Sequence, residues 1–131
     1  MKRKLKRWNG TNTCFTDCVA FILDVHPRKV PFFIEHHAWF WYVKKFFRRR
    51  GYEIRAYKFK TKLLSNKRKY YIVSGLSFRS KIKNPDDMRS MHHAIVYRGK
   101  KKYWDPNGPH GRGIRGKPSW VYVIRKAKSP Q

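Results

Sequence analysis

Three residues stand in the order and of the types that a thiol hydrolase uses: Cys14, then His93, then Asp105. In such an enzyme a thiolate attacks, an imidazole carries the proton, and a third polar group holds the imidazole in one tautomer. Cys14 opens the amphipathic run Cys14-Phe15-Thr16-Asp17-Cys18-Val19-Ala20-Phe21-Ile22-Leu23, with Thr11 or Thr13 as N-cap. A helix start favours negative charge through its unpaired amides and its dipole. A lone cysteine on a helix is ordinarily a small buried hydrophobe, so it is the first-turn position that singles out Cys14. Cys18 lies one turn deeper on the face shared by Cys14, Phe21 and Ile22, and is expected only to pack. His93 begins the strand-like run Ala94-Ile95-Val96-Tyr97. A strand histidine alone is ordinarily structural, which is the expectation for His92, His36 and His37. Asp105 is one of only seven acids and stands among Lys and Arg, although a turn-opening Asp before Pro106 or a simple countercharge would look the same.

The hairpin between His93 and Asp105 decides whether they can meet. A two-residue loop at Gly99-Lys100 in a regular ladder would point the two side chains to opposite faces. A three-residue loop at Arg98-Gly99-Lys100, or a bulge, would make them neighbours on one face. The triad therefore requires an odd loop or an extra residue in one strand.

The rest of the chain reads as two helices followed by a sheet. The first helix, Cys14 to Leu23, is ended by His26-Pro27. In the second, Trp39, Phe40, Val43, Phe46 and Phe47 recur at spacings of three and four, Lys44, Lys45 and Arg48 face away, and Gly51 is the stop. That aromatic stripe is taken as core rather than as a base-stacking platform. From Tyr52 the period becomes two, with strands over Tyr52 to Tyr57, Tyr71 to Gly75, Met91 to Arg98, Lys102 to Asp105 and Trp120 to Ile124. Lys60 to Arg68 and Arg79 to Ser90 read as loops, the latter with Asn84-Pro85-Asp86-Asp87 turn chemistry. Asn107 to Gly113 is glycine-rich but lacks the order of a phosphate-binding loop and opens no helix. The 131 residues fit a flexible basic arm at 1–7, one α+β domain at 8–126 with N-terminal helices on an antiparallel β-sheet, and a basic tail at 127–131.

Composition adds a partner and an environment. Lys and Arg number 33 against 7 acids, a net charge of +26 whose self-repulsion calls for a polyanionic partner, nucleic acid or an acidic protein. Lys44, Lys45, Arg48, Arg49, Arg50, Lys100 and Lys101 are the candidate contacts, against the plainer reading of solvated charge. Aromatics at 17% predict a core built on Phe, Tyr and Trp rather than Leu. Two cysteines four apart suit separate reduced thiols, and the basic start is followed by Trp8-Asn9-Gly10-Thr11-Asn12 instead of an apolar export segment, so a cytoplasmic protein is expected. The most apolar stretch, Pro31 to Val43, is too short and too interrupted to cross a bilayer.

These segments also resemble a family. Asn12 to Leu23, Lys29-Val30-Pro31-Phe32-Phe33, Ser74-Gly75-Leu76-Ser77, His93-Ala94-Ile95-Val96-Tyr97 and Trp104-Asp105-Pro106-Asn107 are similar, over about residues 8 to 125, to small papain-like cysteine peptidase domains. More closely, they are similar to uncharacterised papain-like proteins common in bacteriophages, related to bacteriocin-processing peptidases. The resemblance implies Cys14 as nucleophile, His93 as general base and acid, Asp105 as orienter, and a phage-encoded hydrolase of a peptide, isopeptide or related amide bond in the host cytoplasm. Where the family carries an oxyanion glutamine about six residues before the cysteine this chain has Trp8, and Asn9 is the offered donor beside the Cys14 amide. A basic binding protein on the same scaffold without catalysis is the alternative. No metal or other cofactor is expected: Cys14 and Cys18 lie inside a helix, whereas structural zinc commonly takes its Cys pair from a turn.

Overall fold

The computed structural model describes residues 14–31, 38–87 and 89–128. Two helices pack on a five-stranded antiparallel sheet, an α+β arrangement. Helix α1 spans Cys14–Leu23 and α2 spans Trp39–Arg49; the strands are β1 Tyr52–Lys58, β2 Tyr70–Leu76, β3 His92–Arg98, β4 Lys101–Trp104 and β5 Trp120–Lys126. Their spatial order is β1-β5-β2-β3-β4, so the last strand in sequence enters the middle and β1 and β4 form the two edges.

Helix α1 is buried further round its girth than an amphipathic stripe requires, because every residue from Phe15 to Phe21 is covered. Aromatic rings supply the cover: Phe15 meets Trp39 and Tyr122 edge-on at 5.2 and 5.0 Å, and Phe21 stacks on Trp104 at 4.5 Å. The helix ends one turn before Pro27, with Asp24 at φ 56. His26 then caps a short 3-10 helix, Pro27–Lys29, its Nδ1 accepting from the Arg28 amide at 3.1 Å. Helix α2 lays Val43, Phe46 and Phe47 against the sheet and leaves Lys44, Lys45, Arg48 and Arg49 outside, which confirms the stripe as core. Gly51, at φ 84, turns the chain directly into β1 in a conformation that favours glycine.

The helix-side core is Phe15, Val19, Phe47, Ile72, Val96, Tyr122 and Ile124 with their neighbours. The expected aromatic core is thus only half of it: the rings come from the helices and Tyr122, whereas Val and Ile fill the central strands, where β-branched chains fit the pleat. A second cluster of Leu64, Tyr71, Val73 and Val121 occupies the other face. It corrects the reading of Lys60 to Arg68 as loop, since Thr61–Leu64 is a short 3-10 helix whose Leu64 is buried to seal that face. Among the described residues no helix is long and apolar enough to cross a membrane.

Phe47 is wholly buried between α2 and the sheet. Phe47→Ala should cost about 3–5 kcal/mol in urea denaturation, whereas Trp41→Ala, at an exposed ring on the same helix, should cost under about 1 kcal/mol.

Candidate active site

The β3–β4 hairpin meets the requirement posed by the sequence through its second route. Arg98 pairs with Lys101 and Tyr97 with Lys102 around the two-residue turn Gly99-Lys100, but Val96 pairs with Trp104. One extra residue, Tyr103, is therefore inserted in β4, a bulge. Without it Asp105 would fall opposite Ala94, the wrong parity for His93. With it, the register continued by one step sets Asp105 opposite Ile95, whose side of the strand His93 shares.

The two side chains meet. His93 Nε2 lies 2.8 Å from Asp105 Oδ1, with both side chains almost wholly withdrawn from water. A carboxylate can only accept, so Nε2 carries the hydrogen and donates it, which leaves Nδ1 as the ring atom free for other work. Burial disfavours the imidazolium, but the Asp105 hydrogen bond, a side-chain hydrogen bond with Cys14 and the charges of both outweigh it, and the His93 pKa rises to about 9. Asp105 moves the other way: burial would raise it, but the His93 bond, the amides of Asn107 and Gly113, and the imidazolium charge hold its carboxyl below the ordinary value. At neutral pH the pair is an imidazolium and a carboxylate.

Cys14 sits at the first residue of α1, half-buried and near enough to His93 to help raise the imidazole pKa. Cys18 is fully buried, and burial together with the nearby charges of Cys14, Asp17 and Asp105 raises its pKa well above that of an ordinary thiol. One turn of helix thus separates a thiol beside a cationic ring from one kept protonated.

The glycine-rich stretch, set aside in the sequence as a weak phosphate site, has a different place here. It folds back over Asp105, whose Oδ1 accepts from the Asn107 amide at 2.8 Å and whose Oδ2 accepts from the Gly113 amide at 3.1 Å. Gly113 takes φ 74, and a Cβ on Gly111 would stand 2.4 Å from Asp105 Oδ2. Glycine at 111 lets the backbone pass against the carboxylate. The density of glycine after an Asp-Pro was the signal present in the sequence, and its meaning needed the third dimension. Tyr122 was also missed: it is buried beside Ser74 and near Cys14, and burial raises its pKa.

Other candidates fall elsewhere. Asn9 and the caps Thr11 and Thr13, like His36 and His37, lie outside the described residues. His92 turns outward to the Pro85 carbonyl, 2.9 Å from its Nε2. Lys44, Lys45, Arg48, Arg49 and Arg50 are exposed on and after α2, which packs beside β1, whereas Lys100 and Lys101 sit in the hairpin of β4 at the opposite edge. These seven cations therefore form two separate patches. Among the described residues no three His, Cys, Asp or Glu side chains are grouped so as to hold a metal ion. Compared with family models, with curated proteins and with solved structures, the chain matches none.

The two opposed shifts fix a pH window. A group raised from 6.5 to about 9 on folding contributes stability fully present below 6.5 and lost as pH climbs through about 9, and the lowered Asp105 contributes stability that is lost as pH falls below its unfolded value near 3.8. Imidazole NMR should titrate His93 near 9, and Asp105→Asn should return it to 6.5 or lower, since burial then acts with less opposition. Gly111→Ala should also lower it by displacing the carboxylate; a His93 titration unmoved in both variants would break this account.

Proposed function

We propose that this chain is a papain-like cysteine hydrolase that cleaves a peptide, isopeptide or related amide bond. The observation that carries the reading is the buried His93–Asp105 pair at 2.8 Å with Cys14 beside the same ring. Cys14 attacks the carbonyl carbon as thiolate, and His93, already protonated, gives its Nδ1 proton to the departing amine as the C–N bond breaks. A thioester on Cys14 remains. His93, now neutral, takes a proton from water, whose oxygen attacks the thioester and releases the carboxylic acid and the thiolate. Asp105 stays ionised throughout and keeps Nε2–H pointed at itself, so that Nδ1 is always the working nitrogen. The Cys14 amide at the helix start is one donor for the developing oxyanion.

A second reading, polyanion binding, is favoured by the cleft between α2 and β1. Trp41, Lys44, Lys45, Arg48, Tyr52 and Arg55 line about 340 Å³, with Trp41 half exposed and the Lys45 ammonium 4.1 Å above its ring. Exposed rings between cations suit stacked bases and phosphates. Glu53, in the same cleft, is neutralised by Arg125 at 2.9 Å.

Each reading has its own measurement. A thiol-reactive probe at neutral pH should label Cys14 and leave Cys18 unlabelled, and His93→Ala should cut the Cys14 rate by about tenfold or more; equal labelling of both thiols would end the hydrolase assignment. For the cleft, the affinity for a single-stranded oligonucleotide should fall steeply with salt. Replacing Lys44, Lys45 and Arg48 by Gln should flatten the logarithmic salt slope by about two, at about 0.7 per phosphate contact; a slope unchanged by the triple substitution would place the binding elsewhere.

A further inference from the structure

His93 opens onto a cavity of about 430 Å³ whose wall also carries Arg79, Arg112 and His110. None of the described residues lining it is acidic. The wall is built by pairing two loops: Ser77 and Ile114 form an antiparallel bridge, and the Arg115 amide donates to the Leu76 carbonyl at 2.8 Å. Arg79 and Arg112 stand on that one wall, one from each loop. Like charges gathered on one cavity wall repel, and a bound anion offsets that repulsion. Both arginines are exposed, and neither has a carboxylate partner among the described residues. Arg112 is held in place from behind, its guanidinium carbon 4.1 Å over the Phe78 ring, and Arg79 follows a turn in which its amide donates to Ser77 Oγ at 3.1 Å. A planar, pre-positioned guanidinium is the side chain best matched to a carboxylate.

We infer that this cavity is a carboxylate subsite, and that the substrate carries a carboxylate within a residue or two of the bond cut, read by Arg79 and Arg112. The inference rests on the hydrolase reading for the word substrate, but the site itself is independent of it. The carboxylate is either an Asp or Glu side chain or the end of a peptide, and both present the same group.

Cys14 is the reporter. Its alkylation by iodoacetate, which carries a carboxylate, is compared with that by iodoacetamide, which does not, and read at Cys14 by tandem mass spectrometry. Arg79→Gln and Arg112→Gln should each lower the iodoacetate-to-iodoacetamide rate ratio about threefold to tenfold, the size expected of one unscreened charge several ångströms away. Lys62→Gln with Lys67→Gln removes two charges that line no part of this cavity and should leave the ratio within about twofold, which separates a local site from the field of a +26 chain. Protection of Cys14 by N-acetylaspartate amide rather than N-acetylglycine assigns the carboxylate to a side chain, and the reverse assigns it to a chain end. A ratio unmoved by the arginine substitutions, or moved as much by the lysine ones, overturns the subsite. The ratio is readable at any absolute reactivity, so a sluggish Cys14 would count against the hydrolase alone.

Discussion

A single buried hydrogen bond, from His93 Nε2 to Asp105 Oδ1, sets the terms for the residues around it. Taking an imidazolium and a carboxylate out of water costs each of them several kcal/mol, which their attraction offsets only when geometry is good and the remaining lone pairs are satisfied. The chain supplies both conditions. The bulge at Tyr103 gives the pair its common side, and the amides of Asn107 and Gly113 satisfy the far side of the carboxylate. In a chain with 33 cations and 7 acids, this acid is one of the few taken indoors, and backbone as well as side chain is committed to holding it.

Much of this was legible in the sequence, and for identifiable reasons. Periodicity located both helices, because Phe46 and Phe47 recur on the stripe begun by Trp39 and because Gly51 supplies the left-handed residue that ends it. Alternation located all five strands to within a residue or two. Parity was enough to say that His93 and Asp105 needed an irregular hairpin, but not which irregularity: the bulge goes with Trp104 stacked on Phe21, a contact between residues far apart in sequence. For the same reason the glycines at 111 and 113 looked like a failed phosphate loop, since a backbone that must pass close to a carboxylate and one that must pass close to a phosphate use the same residue. The short helix at Thr61–Leu64 was invisible because a single buried Leu carries no period.

The surplus of positive charge is arranged rather than merely tolerated. Several cations rest on aromatic faces, Lys45 on Trp41, Arg50 on Phe46 and Arg112 on Phe78, which shelters the rings and limits the freedom of the long side chains. The cations also divide by location. Those of α2 border one edge of the sheet, those of the β3–β4 turn the other, and Arg79 and Arg112 stand on the wall onto which His93 opens. A uniform coating would attract polyanions without orienting them, whereas separated patches give the molecule distinct faces.

Strand β4 is only four residues long and forms an edge, yet Trp104 at its end is stacked on Phe21 of α1 and Asp105 follows immediately. Short edge strands open at a fraction of the free energy needed to unfold a sheet's centre. The ion pair is thereby tied to an edge of the ladder, latched by the rings of Tyr103 and Trp104 against Phe21 and Tyr70. An edge strand therefore carries the acid on which the histidine depends, so whatever pairs with or loosens that edge also acts on the ion pair.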